Sequence, residues 1–255
     1  MRFFDCNAYI GRPAVPSLAP EPTVEGLLEE MVYNGVQDAL VWHVAQYDAA
    51  PQPGNMLLSE AIRPHPNLTG CWTLLPNQCN EFPPFDIFVD QMRAARVAAL
   101  RVFPQQHHFL LNKVAMGSWL EPITELRIPL FLSVERGANW EIAYALLNEC
   151  PDLTCVICDH GCWGEDRRFR PLIERYPNVF IDSSQYLLDG GIEDFVAKYG
   201  PERMLFGSGF PESYFGGMML AIRHAEIGDE AKMAICAGNL ERLLAWADQK
   251  VEVET

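Results

Sequence analysis

The chain has 255 residues, 49% of them hydrophobic and 21% charged, which excludes a disordered protein and supplies a full core without disulfide staples. Asp and Glu number 34 against 19 Lys and Arg, a net charge of −15 that opposes nucleic acid and anionic membranes as partners. No apolar stretch approaches the ~20 residues needed to span a bilayer.

Residues 1–11 read MRFFDCNAYIG, where Asp5 and Asn7 break the apolar run, so no export signal is expected. The same segment opens the first of eight short runs rich in β-branched and aromatic residues. In order they are RFFD from Arg2, ALVWH from Ala39, TGCWTL from Thr69, AALRVF from Ala98, PLFLSV from Pro129, TCVICD from Thr154, VFIDS from Val179 and MLFG from Met204. Such apolar strands read as parallel and covered on both faces. Their starts lie roughly 25 to 37 residues apart, room for one helix and two loops each.

Helix signals fill the gaps. Thr23 opens a stripe of Leu27, Leu28, Met31 and Val32 that Gly35 closes. Asn139 caps a helix over 140–148 with Ile142, Ala145 and Leu146 facing inward. Further helical patterns cover 172–176, 192–199, 217–227 and 240–248, whereas 46–55, 76–84 and 104–112 read as the longest irregular connections. Eight strands alternating with helices, with no glycine-rich nucleotide motif after the first, predict an α/β protein. It is a single (β/α)8 TIM-like barrel domain over residues 1–255.

The eight cysteines lie in apolar segments and read as reduced thiols of a cytoplasmic protein. Cys155, Cys158 and Cys162 form a C-x2-C-x3-C run, but the first two should face opposite sides of a strand, which argues against a metal cluster.

Chemistry in such a barrel belongs at the C-terminal strand ends. These carry Asp5, Cys6, Asn7 and Tyr9; His43; Trp72; Arg101; Glu135; Asp159 and His160; Asp182 and Ser184; Ser208 and Glu212. Arg101 sits within AALRVF and must meet a carboxylate, either from a ligand or from Asp5 or Glu135. His160 is the candidate acid or base, or else a structural histidine. His107 and His108 read as an exposed loop pair, and His65 and His224 carry no signal.

These residues resemble the amidohydrolase-related metal-dependent hydrolases, in the branch of aminocarboxymuconate-semialdehyde decarboxylase. The family's D-x-H-x-H-x-G is matched by Asp5-Cys6-Asn7-Ala8-Tyr9-Ile10-Gly11, and its I-P-x-x-x-H by the segment from Ile128 to Ser133. Its H-x-G is matched by His160-Gly161, its G-S-D-x-P by Gly207-Ser208-Gly209-Phe210-Pro211, and its closing G-N-x-x-R-L-L by Gly238 to Leu244. The resemblance implies a metal held at four positions that are here Asn7, Tyr9, Ser133 and Gly209, none a good transition-metal ligand. The sixth-strand histidine, an acid or base in the family, persists as His160.

An enzyme without metal or other cofactor is therefore expected, a hydrolase or decarboxylase-like lyase acting on a small carboxylate-bearing substrate. His160, Tyr9 and Asp5 are its catalytic candidates. Arg101 is the carboxylate anchor, with Glu135, His43, Asp182 and Glu212 as further binding residues. Two alternatives stay open. One is an inactive member that binds a small molecule or partner subunit, a second copy of the chain included. The other is a divalent metal in a substitute shell of Asp5, Glu135, His160, Asp182 and Glu212.

Overall fold

The computed structural model describes residues 1–15, 22–161 and 163–248. Eight strands occur where the apolar runs lie: β1 Phe4–Ile10, β2 Asp38–His43, β3 Leu68–Thr73, β4 Val97–Arg101, β5 Leu130–Ser133, β6 Cys155–Cys158, β7 Val179–Asp182 and β8 Met204–Leu205. They form one parallel sheet in sequence order. Backbone hydrogen bonds from Cys6 N to Phe206 O (2.9 Å) and from Gly209 N to Asn7 O (3.1 Å) bring its two edges together. The protein is a (β/α)8 TIM barrel.

Side chains alternate between two layers, as the pleat requires. Along β6, Cys155 and Ile157 pack outward against the helices, while Val156 and Cys158 fill the barrel with Phe4, Leu40, Trp42, Phe131 and Phe180. Cys155 and Cys158 thus face opposite sides; Cys162 lies outside the described residues. The described residues contain no disulfide and no helix long and apolar enough to cross a membrane.

The helices follow their caps. Thr23 Oγ1 accepts from Gly26 N (3.0 Å) to start Val24–Asn34, and Gly35 ends it at φ 72°. Leu27 and Met31 are buried there, but Val32 is 81% exposed and does not belong to the stripe. Asn139 Oδ1 accepts from Ile142 N (2.9 Å) to cap Trp140–Glu149, whose buried residues are Ala143, Leu146 and Leu147; Ala145 is exposed and Ile142 half-buried. The expected irregular stretch 46–55 is instead mostly helical, with helices at Ala45–Asp48 and Pro51–Ile62. Pro51 and Pro53 lie in the first turn of the second, where a missing N–H costs nothing.

Candidate functional site at the barrel mouth

Asn7 is the hub. It lies on β1, nearly buried, and its amide bridges three charged side chains. Its Oδ1 accepts from Arg101 Nη2 at 2.8 Å; its Nδ2 donates to Asp159 Oδ1 at 2.7 Å and to Asp182 Oδ2 at 2.8 Å. Asp182, at the end of β7, also accepts from Ser184 Oγ (2.7 Å). Burial and the neighbouring Asp159 carboxylate push its pKa up to about 7.

Above this hub lies a narrow recess of about 10 Å³, filled by the side chains around it and lined by Asn7, Tyr9, Trp42, Arg136, Asp159, Gly209, Phe210 and Glu212. Arg136, just past β5, reaches across it to Glu212 Oε1 in the β8 loop at 2.5 Å. Its guanidinium rests on the faces of Tyr9 and Trp42, 5.2 and 5.4 Å from the ring centroids. Tyr9 Oη donates to Glu212 Oε1 at 3.2 Å. Burial, helped by Glu212, lifts the Tyr9 pKa to about 12, so it remains a donor at neutral pH. A larger hollow, about 520 Å³, lies at the opposite end of the barrel between Arg93, Arg127, Arg242 and Trp246, away from these groups.

The structure thus gathers Tyr9, Asp182 and Glu212 of the expected residues, with Arg101 directly beneath them. It adds Arg136 and Asp159. The sequence places Asp159 at a strand end without a role and gives no signal for Arg136. Asp159 adopts φ 55°, a left-handed conformation uncommon outside glycine, and this turns its carboxylate towards Asn7.

Arg101 departs from expectation. It is 1% exposed and touches neither Asp5 nor Glu135; its contacts are Asn7, the rings of Trp42 and Phe131, and Cys158 Sγ at 4.0 Å. A guanidinium sealed under Asn7 does not face the recess. His160 departs further. Its Nδ1 lies 2.8 Å from Gly161 O and its Nε2 2.9 Å from Asp182 O, and the ring packs on Phe169 and Tyr186 in the outer layer. Burial lowers its pKa, and neither nitrogen opens on the recess. Arg101 and His160 thus do not line one recess as expected: the first lies beneath Asn7 and the second in the outer layer.

The remaining candidates are structural in their contacts. Asp5 is fully buried and accepts from Asn7 N (3.0 Å), Ser208 N (2.8 Å) and Ser208 Oγ (2.5 Å), which ties β1 to the β8 loop. Burial raises its pKa to about 6 against those hydrogen bonds. His43 Nδ1 accepts from Ala45 N (3.1 Å), and its ring fills the space that a Cβ on Gly11 would need, at 2.5 Å. Glu135 Oε2 accepts from Gln185 Nε2 (3.2 Å) on the exposed rim.

The residues at the four ligand positions do not fit a metal. Asn7 already gives its oxygen to a guanidinium, and its nitrogen faces the carboxylates. Tyr9 is a protonated phenol, Ser133 Oγ accepts from Arg136 N (2.9 Å), and Gly209 has no donor. The substitute shell is not assembled either: among the described residues no three His, Cys, Asp or Glu side chains converge as a metal needs.

Comparison with known proteins accords with this architecture. The chain is similar to an uncharacterised TIM-barrel protein of Bordetella bronchiseptica, at 18% identity over 98% of this chain and 100% of that one, with a TM-score of 0.74. It is also similar to 5-carboxyvanillate decarboxylase of Sphingomonas paucimobilis, at 14% identity, 95% and 98% coverage and a TM-score of 0.73. A third is a probable 2-pyrone-4,6-dicarboxylic acid hydrolase of Acinetobacter baumannii with citric acid bound, at 14% identity, 96% and 100% coverage and a TM-score of 0.71. At these identities the likeness is one of fold. No curated protein matches the chain. The family model described as Amidohydrolase matches residues 83–246, from just before β4 through β8 to the C-terminal helix, and so the chain belongs to the amidohydrolase family.

Proposed function

We propose that this barrel is an enzyme that moves protons on a small carboxylate-bearing molecule without its family's metal, as a hydrolase or a decarboxylase-like lyase. The observation that carries this is Arg136: a guanidinium pre-oriented on two aromatic faces, 22% exposed, at the edge of a recess that Asp159 and Asn7 also line. Glu212 occupies it with a carboxylate, the group a ligand would present. A substrate carboxylate takes that place, with the Tyr9 hydroxyl free to donate a second bond. Names of two fold neighbours, a carboxyvanillate decarboxylase and a dicarboxylic acid hydrolase, support this ligand class.

Asp159 opens on the recess, and Asp182, whose pKa burial raises to about 7, lies behind it within reach of proton exchange. In hydrolysis Asp159 takes a proton from the attacking water as the new C–O bond forms, and the leaving oxygen receives it as the old bond breaks. In decarboxylation the C–C bond breaks, carbon dioxide leaves, and the pair protonates the carbon left behind. The anchor role passes from Arg101 to Arg136, and the proton-transfer role from His160 to the aspartate pair.

Calorimetric titration with small aromatic and heterocyclic carboxylates tests the reading. Arg136→Met should weaken binding by about 1.5–3 kcal/mol, the worth of a hydrogen bond to a charged group. Asp159→Asn should keep binding and lose turnover. Unchanged affinity in Arg136→Met contradicts the anchor. A non-catalytic binding protein is the second reading, favoured by the locked His160; it predicts Arg136-dependent binding with no turnover of any bound carboxylate to lose.

A further inference from the structure

Among the described residues, Arg101 is a buried cation without a touching anion. Its Nη2 meets only neutral Asn7 Oδ1 and, at 4.0 Å, Cys158 Sγ; its Nε and Nη1 have no acceptor. The nearby thiols do not neutralise it, because burial pushes Cys71 up to about 12 and Cys158 well above its ordinary value. The carboxyl groups left are Asp159 and Asp182, one amide away. Asn7 stands between with its oxygen towards the guanidinium and its nitrogen towards both carboxylates, so its dipole is aligned to couple the two sides.

We propose that the Arg101 guanidinium is the resident cation of this site, neutralising the Asp159–Asp182 pair through Asn7 and thereby excluding a divalent ion. The inference rests on the metal-free reading above and gives it a physical cause. A divalent ion near Asn7 would meet a fixed positive charge that has no room to withdraw, walled by Trp42 and Phe131. It would also find the only side-chain oxygen of Asn7 already committed. Take the guanidinium away, and the Asn7 amide is free to turn its oxygen towards the two carboxylates, which then face each other with no counter-charge. That is a set of oxygen donors suited to a hard divalent cation.

The test is thermal unfolding of wild type, Arg101→Lys and Arg101→Met, each in chelator and in millimolar magnesium, manganese or zinc, with elemental analysis of the wild type. Wild type and Arg101→Lys should unfold at midpoints that no divalent ion raises, and wild type should carry no stoichiometric metal. Arg101→Met should unfold several degrees lower in chelator and recover several degrees with at least one divalent ion. If Arg101→Met does not fold in chelator, refolding is compared with and without manganese, and folded protein only with the ion supports the proposal. It is overturned by a wild type stabilised by a divalent ion, by stoichiometric bound metal, or by an Arg101→Met protein indifferent to every ion or unable to refold with one. No substrate enters this measurement. A flat carboxylate response in Arg136→Met would sink the functional reading and leave this one standing; an Arg101→Met protein indifferent to every ion would sink this one alone, and stoichiometric metal in the wild type would sink both.

Discussion

Asp182 shows how burial sets chemistry at single residues. Its pKa is raised from 3.8 to about 7 because the carboxylate is buried and faces Asp159, so the folded protein holds a proton that the unfolded chain releases. A carboxyl raised in this way contributes stability that is fully present below the unfolded pKa and is lost as pH rises towards 7. Asp182→Asn removes that dependence. Compared with wild type, the variant should therefore gain in unfolding midpoint as pH rises from about 4 to about 8, read by thermal melts across the range; parallel profiles would show that Asp182 carries no raised pKa. Asp5, raised to about 6 by burial, contributes a similar slope that both proteins share.

The strand ends also show why part of the site was hidden in the sequence. Strand alternation carries Val156 and Cys158 inward and extends to His160. The left-handed turn at Asp159 reverses that order, sending Asp159 to the mouth and His160 out against Phe169 and Tyr186. A single positive φ at an aspartate leaves no mark in a pattern of residue types. Arg136 escaped notice for a related reason. In the polar stretch Glu135-Arg136-Gly137, only the path of the loop decides which side chain crosses the mouth, and it is Arg136 that does so while Glu135 turns to Gln185.

At the scale of elements the sequence was far more legible, because each strand is a compact apolar run and each barrel helix must cover the strands with one face. All eight strands appear in their runs. Helix faces were harder: Val32 and Ala145 have the right spacing for a wide stripe, but the observed stripes are narrower and rotated towards Leu27 and Met31, and towards Ala143, Leu146 and Leu147. The Pro-rich start of Pro51–Ile62 reads as a loop in the sequence and is a helix in the fold, since proline in a first turn and proline in a loop look alike. Capping was the surest local signal. Asn139→Ala should cost about 1 kcal/mol, seen as a lower midpoint in denaturant with unchanged slope; no change would mean that the helix is held by packing alone.

Across the whole molecule, closure of the sheet and construction of the site depend on the same residues. Asp5 holds the β8 loop through Ser208, and Gly209 N bonds to Asn7 O, so the edge that closes the barrel also positions Asn7 beneath the recess. The Tyr9 amide donates to Phe210 O at 3.0 Å, placing an aromatic floor and a Phe210 wall around the same space. Within a chain of net charge −15, Arg136 at the mouth is the cation on which a ligand carboxylate would exchange with Glu212 under the proposed function. A crystal structure of the protein prepared in chelator and soaked with a small aromatic carboxylate tests the account most directly. It should show the ligand carboxylate on the Arg136 guanidinium with Glu212 displaced, Asp159 facing the ligand, and Arg101 still on Asn7. A carboxylate bound at His160 with Arg136 still paired to Glu212, or a ligand bound away from the mouth, would contradict it.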